Sequence, residues 1–426
     1  MDTLRLAKEI EDYVIDIRRD LHEHPEISME EERTINVVTS ELKKMGIDYE
    51  IVPHGGVIGF IEGDQSGNTI VLRADLDALP MKEATDNLTQ EKVVVSKNDE
   101  AAHMCGHDGH TAMLLGSAKI LSNHKDQLKG NVLLAFEQGE EEDQGIYRIL
   151  KRLVEIGADG VWGIHLKNDI PTGKISVDPG PRMAGLFEFD LIIHGKSGHG
   201  SRPDLAISPV ACFIDFYEDL QAFRVRKLNP FEPITFSVGS IQAGSSANVI
   251  PDDLRFKGTA RYLQEEQGEK GLQEFIRLLG EACHKHNCQY EFVKKPVPVD
   301  VFVYNDETCS EIAANSISDA IGKNSVTNYY AWMASEPFGF YQNYFPGVFA
   351  FVGIQNHEKG VGAEHHNAHF DIDEDALKYG VAATIQYTLD FLNYEKEITF
   401  DKETRDVKHL FKDMNFEIYE PEEKEN

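Results

Sequence analysis

Residues 69–80 read TIVLRADLDALP. Ile70, Val71 and Leu72 make an apolar run and Asp75 and Asp77 follow it, so the stretch predicts a buried strand with carboxylates at its carboxyl end. Two further runs have the same shape. NVLLAFEQ (131–138) predicts a strand with Glu140 and Glu141 just past it, and GVWGIHL (160–166) predicts one carrying His165 near its end. Between the first two lies TAMLLGSAKIL (111–121), an apolar helix. Strands alternating with helices predict an α/β sheet with substantial parallel content. Ligands of open α/β sheets sit beyond the carboxyl ends of the strands, and three strands here deliver polar side chains to that edge.

Towards the amino terminus, Leu6, Ile10, Val14, Ile17 and Leu21 recur at helical spacing and predict one helix stopped near Pro25. A second helix is expected from about Met29 to Met45, with Gly46 as its stop. After Met183 the pattern changes. A partly alternating strand (187–195), a helix (208–225), two strands (234–241 and 254–263), a helix (267–284) and a strand (289–296) give the order β-α-β-β-α-β. Buried-strand and helical signals resume in VFAFVGI (348–354) and DEDALKYGVAATIQYTLDFL (373–392). The small unit reads as an insertion: 1–183 and 298–398 make one domain, 184–297 the inserted one, and 399–426 a polar, acidic extension to which no regular structure is assigned.

The chain has 426 residues, too many for one ordinary core, and its 41% apolar content suffices for a large interior. With 42 Lys and Arg against 73 Asp and Glu, the net charge is −31. That balance argues against nucleic acid and anionic membranes as partners, since both need a cationic face. No apolar run is long enough to span a bilayer, and the charged, amphipathic start lacks the apolar core of a signal peptide. Cys105, Cys212, Cys283, Cys288 and Cys309 are too scattered for a disulfide framework, so a reducing cytoplasm is the expected location.

The chemistry concentrates in HMCGHDGH (103–110), GEEE (139–142) and GIHL (163–166). Thiolate, imidazole and carboxylate are the side chains that hold zinc, manganese, cobalt or nickel. Cys105 alone fits a small core residue, but Cys105 and His107 joined as CGH at a strand-to-helix turn favour a metal site, with Gly106 allowing the tight turn. Glu140 and Glu141 fit a solvated acidic surface by composition. Their position just past a buried strand changes that, because adjacent residues point different ways: one can bind metal while its neighbour acts as base towards a water. His165 fits a hydrogen-bonded core histidine equally well. His199 lies in the glycine-rich GKSGHGSRP (195–203), and HHNAHF (365–370) offers His365, His366 and His369. CHKHNC (283–288) matches no zinc-finger spacing and reads as structural or solvent-exposed.

Taken in order, RRDLHEHPEIS (18–28), RADLDALP, CGHDGH, the strand followed by EE, the strand ending in IHL, GKSGHGSRP, NVIPD, GTAR and DEDALKYG (373–380) resemble one metal-dependent amidohydrolase and peptidase family. It includes aminoacylases, hippurate hydrolases, auxin–amino-acid conjugate hydrolases and N-acetyl-diaminopimelate deacetylases. The resemblance implies a mixed-sheet α/β catalytic domain with an inserted ferredoxin-like (βαββαβ) lid and dimerisation domain. It implies two divalent metals (zinc, manganese, cobalt or nickel) held by Cys105, His107, Glu141, His165 and His366, with Cys105 bridging and Asp77 supporting the site. Glu140 takes the place of the general base. His199 would act on the other subunit's site in a homodimer, and Asn248 and Arg261 fall at substrate-contacting lid positions. The implied reaction is hydrolysis of N-acyl amino acids or related small amides. Dipeptidase or carboxypeptidase activity, or an inactive metal-binding dimer, are the alternatives. The chain departs from the family pattern at Pro337, where an acidic residue is usual, in FEQG before Glu140, and in the acidic extension.

Overall fold

Ile70, Val71 and Leu72 are completely buried, and their strand, Gln65–Asp75, lies in the middle of a seven-stranded sheet in this computed structural model, which describes residues 1–419. The sheet runs in the order Asp48–Val52, Gly56–Glu62, Lys129–Glu137, Gln65–Asp75, Gly160–Pro171, Gly347–Gln355 and Ile175–Ser176. The four strands from Lys129–Glu137 to Gly347–Gln355 are mutually parallel, and the flanking strands join antiparallel. The fold is thus α/β on a mixed sheet. The three predicted strands are all central, which is why they read as continuous apolar runs: both faces are covered. Helices His107–Ser122 and Leu377–Leu392 bury one face around Leu72, Phe136, Trp162 and Val352. Helices Ile146–Ile156 and Phe338–Tyr344 cover the other around Val71, Leu133 and Phe349.

A second, four-stranded antiparallel sheet has the order Ile234–Ala243, Asp253–Tyr262, Gly185–His194, Gln289–Lys294. With helices Pro209–Arg226 and Glu265–His286 it follows the βαββαβ chain order read from the sequence. Phe187, Phe189, Leu191 and Ile193 alternate into a core with Phe216, Phe256 and Phe275, the period-two signature of a sheet with one covered face. Ser208 caps the first helix by accepting the Ala211 N–H, with Pro209 opening it. Leu186 and Val299 exchange backbone hydrogen bonds of 3.1 and 2.7 Å, so the two chain crossings between the sheets run side by side.

Three local expectations are corrected. The first helix is two, Thr3–Glu9 and Glu11–Glu23, because Ile10 leaves the helical region at φ −113°. The second begins at Glu32 rather than Met29, whose φ of +67° is incompatible with a helix. The acidic extension forms a helix, Val407–Asp413, which buries Val407, Leu410 and Phe411. No helix among the described residues is long and apolar enough to cross a membrane.

Candidate metal centre

The carboxyl edge of the parallel strands gathers Asp75, Glu137 and His165, and the loops beyond them add the rest. A long loop, not a strand, precedes CGH; Gly106 then starts the helix at φ +100°. A side chain at Gly106 would be strained by that φ and would press on Leu166 at 3.3 Å. The turn aims Cys105 and His107 at the same point. The Cys105 Sγ, His107 and His165 donor atoms all lie within 4.8 Å of one another, and so do those of Cys105, Glu141 and His366. Cys105 belongs to both groups. Its Sγ is 3.5 Å from His165 Nε2, His107 Nε2 is 3.7 Å from Glu141 Oε1, and His366 Nε2 is 3.4 Å from Glu141 Oε2. His366 reaches this point from a left-handed conformation (φ +59°), with its N–H bonded to Met104 O at 2.9 Å. Such a backbone costs a non-glycine residue about 1–3 kcal/mol and is typical of functional loops.

Asp77, fully buried, ties the cluster together. Its backbone carbonyl (3.0 Å) and Oδ1 (3.2 Å) lie within reach of His107 Nδ1. Its Oδ2 accepts from Ser28 Oγ at 2.6 Å and from the Glu141 N–H at 2.9 Å. A proton on His107 Nδ1 leaves Nε2 as a lone pair facing the cluster. His165 is set the same way, with Nδ1 2.7 Å from the Leu166 carbonyl. Among the described residues, His107 Nε2 and Glu141 Oε1 are buried without a hydrogen-bond partner. Buried orphans of this kind are costly, and a divalent cation is the group that satisfies imidazole, thiolate and carboxylate at once. The donor set suits zinc, cobalt, nickel or manganese, so these residues fit a metal.

The electrostatics agree. Burial, reinforced by Glu141, pushes the Cys105 thiol well above its ordinary range. A bound cation reverses that preference, since coordination deprotonates a thiol outright. Burial pulls His107 down, but Asp75, Cys105 and Asp77 outweigh it and hold its pKa well above the histidine range; a cation at Nε2 would have to displace that second proton, because neutral imidazole is the ligand form. Burial, then His110 and His365, press His165 well below it. Glu140 is buried 3.6 Å from His107 Nε2. Burial first, then Glu336 and Glu141, hold its carboxyl well above the usual carboxylate range. The turn before it is fixed by Glu31, whose carboxylate accepts from the Gly139 N–H (2.7 Å) and Gln138 Nε2 (2.8 Å).

Sequence reasoning missed the layer beneath. Arg73, fully buried, donates to Asp75 Oδ2 (2.6 Å) and Glu137 Oε2 (2.9 Å) and pairs with Glu336 Oε1 (3.1 Å). Tyr341 also donates to Glu137 (2.7 Å), and His110 joins Asp75 (2.7 Å) to the Leu166 N–H (2.9 Å). An arginine inside an apolar strand is itself the signal, because a buried guanidinium must be paired. At the departure Ser335-Glu336-Pro337-Phe338, Glu336 keeps its place on Arg73, and Pro337 stands immediately before helix Phe338–Tyr344.

The residues expected from the inserted unit stand apart. His199 and Asn248 are exposed on a short paired ribbon, Gly198–His199 with Val249–Ile250. The hydrogen bonds of the His199 ring go to Ser201. Arg261, half-buried, reaches across to Met333 O (3.2 Å) and Ser335 Oγ (3.5 Å). In CHKHNC, Cys283 and Cys288 are core residues of the second sheet and His286 bonds Asp215, in line with the structural reading.

A Cys/His/Glu donor set, buried at Cys105, His107 and His165 and open at His366, at the carboxyl edge of a mixed α/β sheet defines a metal-dependent hydrolase class. The chain belongs to the peptidase family M20/M25/M40, whose model matches residues 71–390. Thermostable carboxypeptidase 2 of Saccharolobus solfataricus is 34% identical over 395 residues, covering 91% of this chain and 97% of that protein. N-acetylcysteine deacetylase of Bacillus subtilis is 36% identical over 369 residues, covering 85% and 93%. A solved structure from Bacillus subtilis described as a dinuclear metal binding peptidase of the M20 family superposes with a TM-score of 0.75 at 32% identity, covering 90% and 99%.

Proposed function

We propose that this chain hydrolyses the amide bond of N-acyl amino acids, with Cys105, His107, Glu141, His165 and His366 holding two divalent ions and Glu140 as general base. One observation carries the reading: two donor triads share Cys105, and His107 Nε2 and Glu141 Oε1 are buried beside it without a hydrogen-bond partner among the described residues. Divalent ions bound there supply a Lewis acid for the amide carbonyl and make an attacking water acidic. Glu140 takes the water proton and returns it to the leaving nitrogen; its buried setting beside Glu141 and Glu336 favours holding that proton. Asp77 keeps His107 in the tautomer that presents Nε2 and steadies Glu141 through its N–H. Arg261 and Asn248 bind the substrate, the guanidinium taking its carboxylate.

Residues 184–297 act in this reading as a lid and dimerisation unit. Among the described residues the hydrogen bonds of the His199 ring go to Ser201, so its part in stabilising the oxyanion is assigned to a second copy. Mixing inactive His199→Ala and Glu140→Gln subunits should then restore activity in the heterodimer, which carries one intact composite site. Verified heterodimers with no recovery would confine His199 to its own chain.

The similarity to a protein named carboxypeptidase supports a second reading, hydrolysis of small peptides at the same centre. Amine release from N-acetyl amino acids, N-benzoyl amino acids and dipeptides separates the two. The proposal expects turnover of the first two; turnover of dipeptides alone overturns it.

A further inference from the structure

The carboxyl-terminal segment turns back onto the hydrolytic machinery. The family match ends at residue 390, yet the chain packs on the catalytic unit beyond it at Phe411 and Phe416. Phe411 stacks on Phe340 with ring centroids 4.1 Å apart, and Phe416 meets the same ring edge-on at 4.8 Å. Phe340 lies on the short helix that follows Glu336 and Pro337. The segment is therefore braced on the loop whose Glu336 holds Arg73. Past that brace, Phe416, Ile418 and Tyr419 wall a cavity of about 530 Å³. Its other walls are Glu142 and Asp143, directly after the paired glutamates, then Leu186 and Val297 at the crossings into the inserted unit, and the Ser335–Pro337 loop.

We infer that this cavity receives the acyl group of the substrate and that the carboxyl-terminal segment sets which acyl groups fit. The inference rests on the proposed N-acyl amino acid reading. Arg261 decides the orientation. Of the charged groups that line the cavity, Glu336 is paired with Arg73 and Glu188 with Lys294, and burial raises the pKa of Asp143 to about 7, which leaves Glu142 and Glu417 against Lys295 and gives a substrate carboxylate only a weak bias away from it. Arg261 reaches Ser335 Oγ on its rim and offers the carboxylate a cation instead. The amino-acid end stays at Arg261, and the neutral acyl end enters the chamber, where Leu186, Val297, Pro337, Phe416 and Ile418 supply apolar wall. Volume decides the class. Small-molecule pockets span about 300–1,000 Å³, and an acetyl group would leave this one mostly filled by water. Aromatic and medium-chain acyl groups bury their carbons against the walls, and each methylene so buried favours binding.

The test compares N-octanoyl with N-acetyl amino acids by the ratio of kcat/KM. In the unaltered protein the ratio favours octanoyl by about tenfold or more, which requires burial of only about two of its extra methylenes at roughly 0.8 kcal/mol each. The double substitution Ile418→Ala, Tyr419→Ala should collapse the ratio from the side of the tail, and Val297→Phe should collapse it by filling the opposite wall. N-octyl and N-ethyl amino acids, which lack a cleavable amide, should show the same change in dissociation constants by calorimetry. A ratio unmoved in both variants, or an unaltered protein indifferent to acyl size, overturns the inference. If no N-acyl amino acid is cleaved, the substrate reading fails separately. The N-alkyl dissociation constants then decide the chamber: equal values for octyl and ethyl overturn it, and a preference for octyl lost in the variants supports it.

Discussion

Replacing Glu140 with glutamine should reduce kcat by about 10²–10⁴-fold, the usual worth of a positioned acid–base group, while two ions remain bound. The amide keeps the shape of the carboxylate and fits the same buried position, but it cannot accept a proton. Glu140 also stands where a basic group is easily held protonated, close to Glu141 and Glu336 and out of water. It can thus take a proton in one step and release it to the leaving amine in the next. Metal content measured beside turnover separates the roles. Loss of turnover with full metal assigns Glu140 to proton transfer, loss of metal makes it a ligand, and full turnover removes it from the chemistry.

Cys105→Ala should cost metal first and activity as a consequence. The thiol belongs to both donor triads, so its removal weakens both positions. Loss of an outer-shell partner already costs about 10–100-fold in metal affinity, and loss of a shared ligand should exceed that. The fold should survive. Cys105 sits in a loop ahead of its helix, and Asp77, Arg73 and His110 beneath the site are held by bonds that do not involve it. Metal analysis of the purified variant, with its thermal unfolding compared with metal-free unaltered protein, checks this. Two ions bound with unaltered affinity would contradict the ligand set.

The parts of the molecule that were legible share a cause. TIVLRAD, NVLLAFE and GVWGIHL are covered on both faces and so open on continuous apolar runs, with their charged and imidazole groups towards the carboxyl end; FEFDLIIH is covered on one face and alternates. Asp48–Val52 and Gly56–Glu62 were not assigned, because one is mostly exposed and the other is interrupted by Gly59. The tail helix was hidden by composition: Val407, Leu410 and Phe411 are its only buried residues, set among charged ones. At the centre, motif order chose the seven residues from Asp77 to His366, and the fold brings them together although nearly 290 positions separate the first from the last. The Arg73–Asp75–Glu137–Glu336 network escaped because pairing across strands is a matter of register: Asp75 lies opposite Glu137 and Arg73 opposite Ala135, which no local pattern records. The exposed position of His199 was equally out of reach, since the orientation of a paired ribbon depends on tertiary packing.

The most direct test strips the protein of metal and follows amine release from N-acetyl and N-benzoyl amino acids as zinc, manganese, cobalt or nickel is returned. The account predicts no release without metal, and release that rises as ions bind and levels off at two per chain. Equal release from the metal-free protein, or two bound ions with no N-acyl amino acid cleaved, would contradict it.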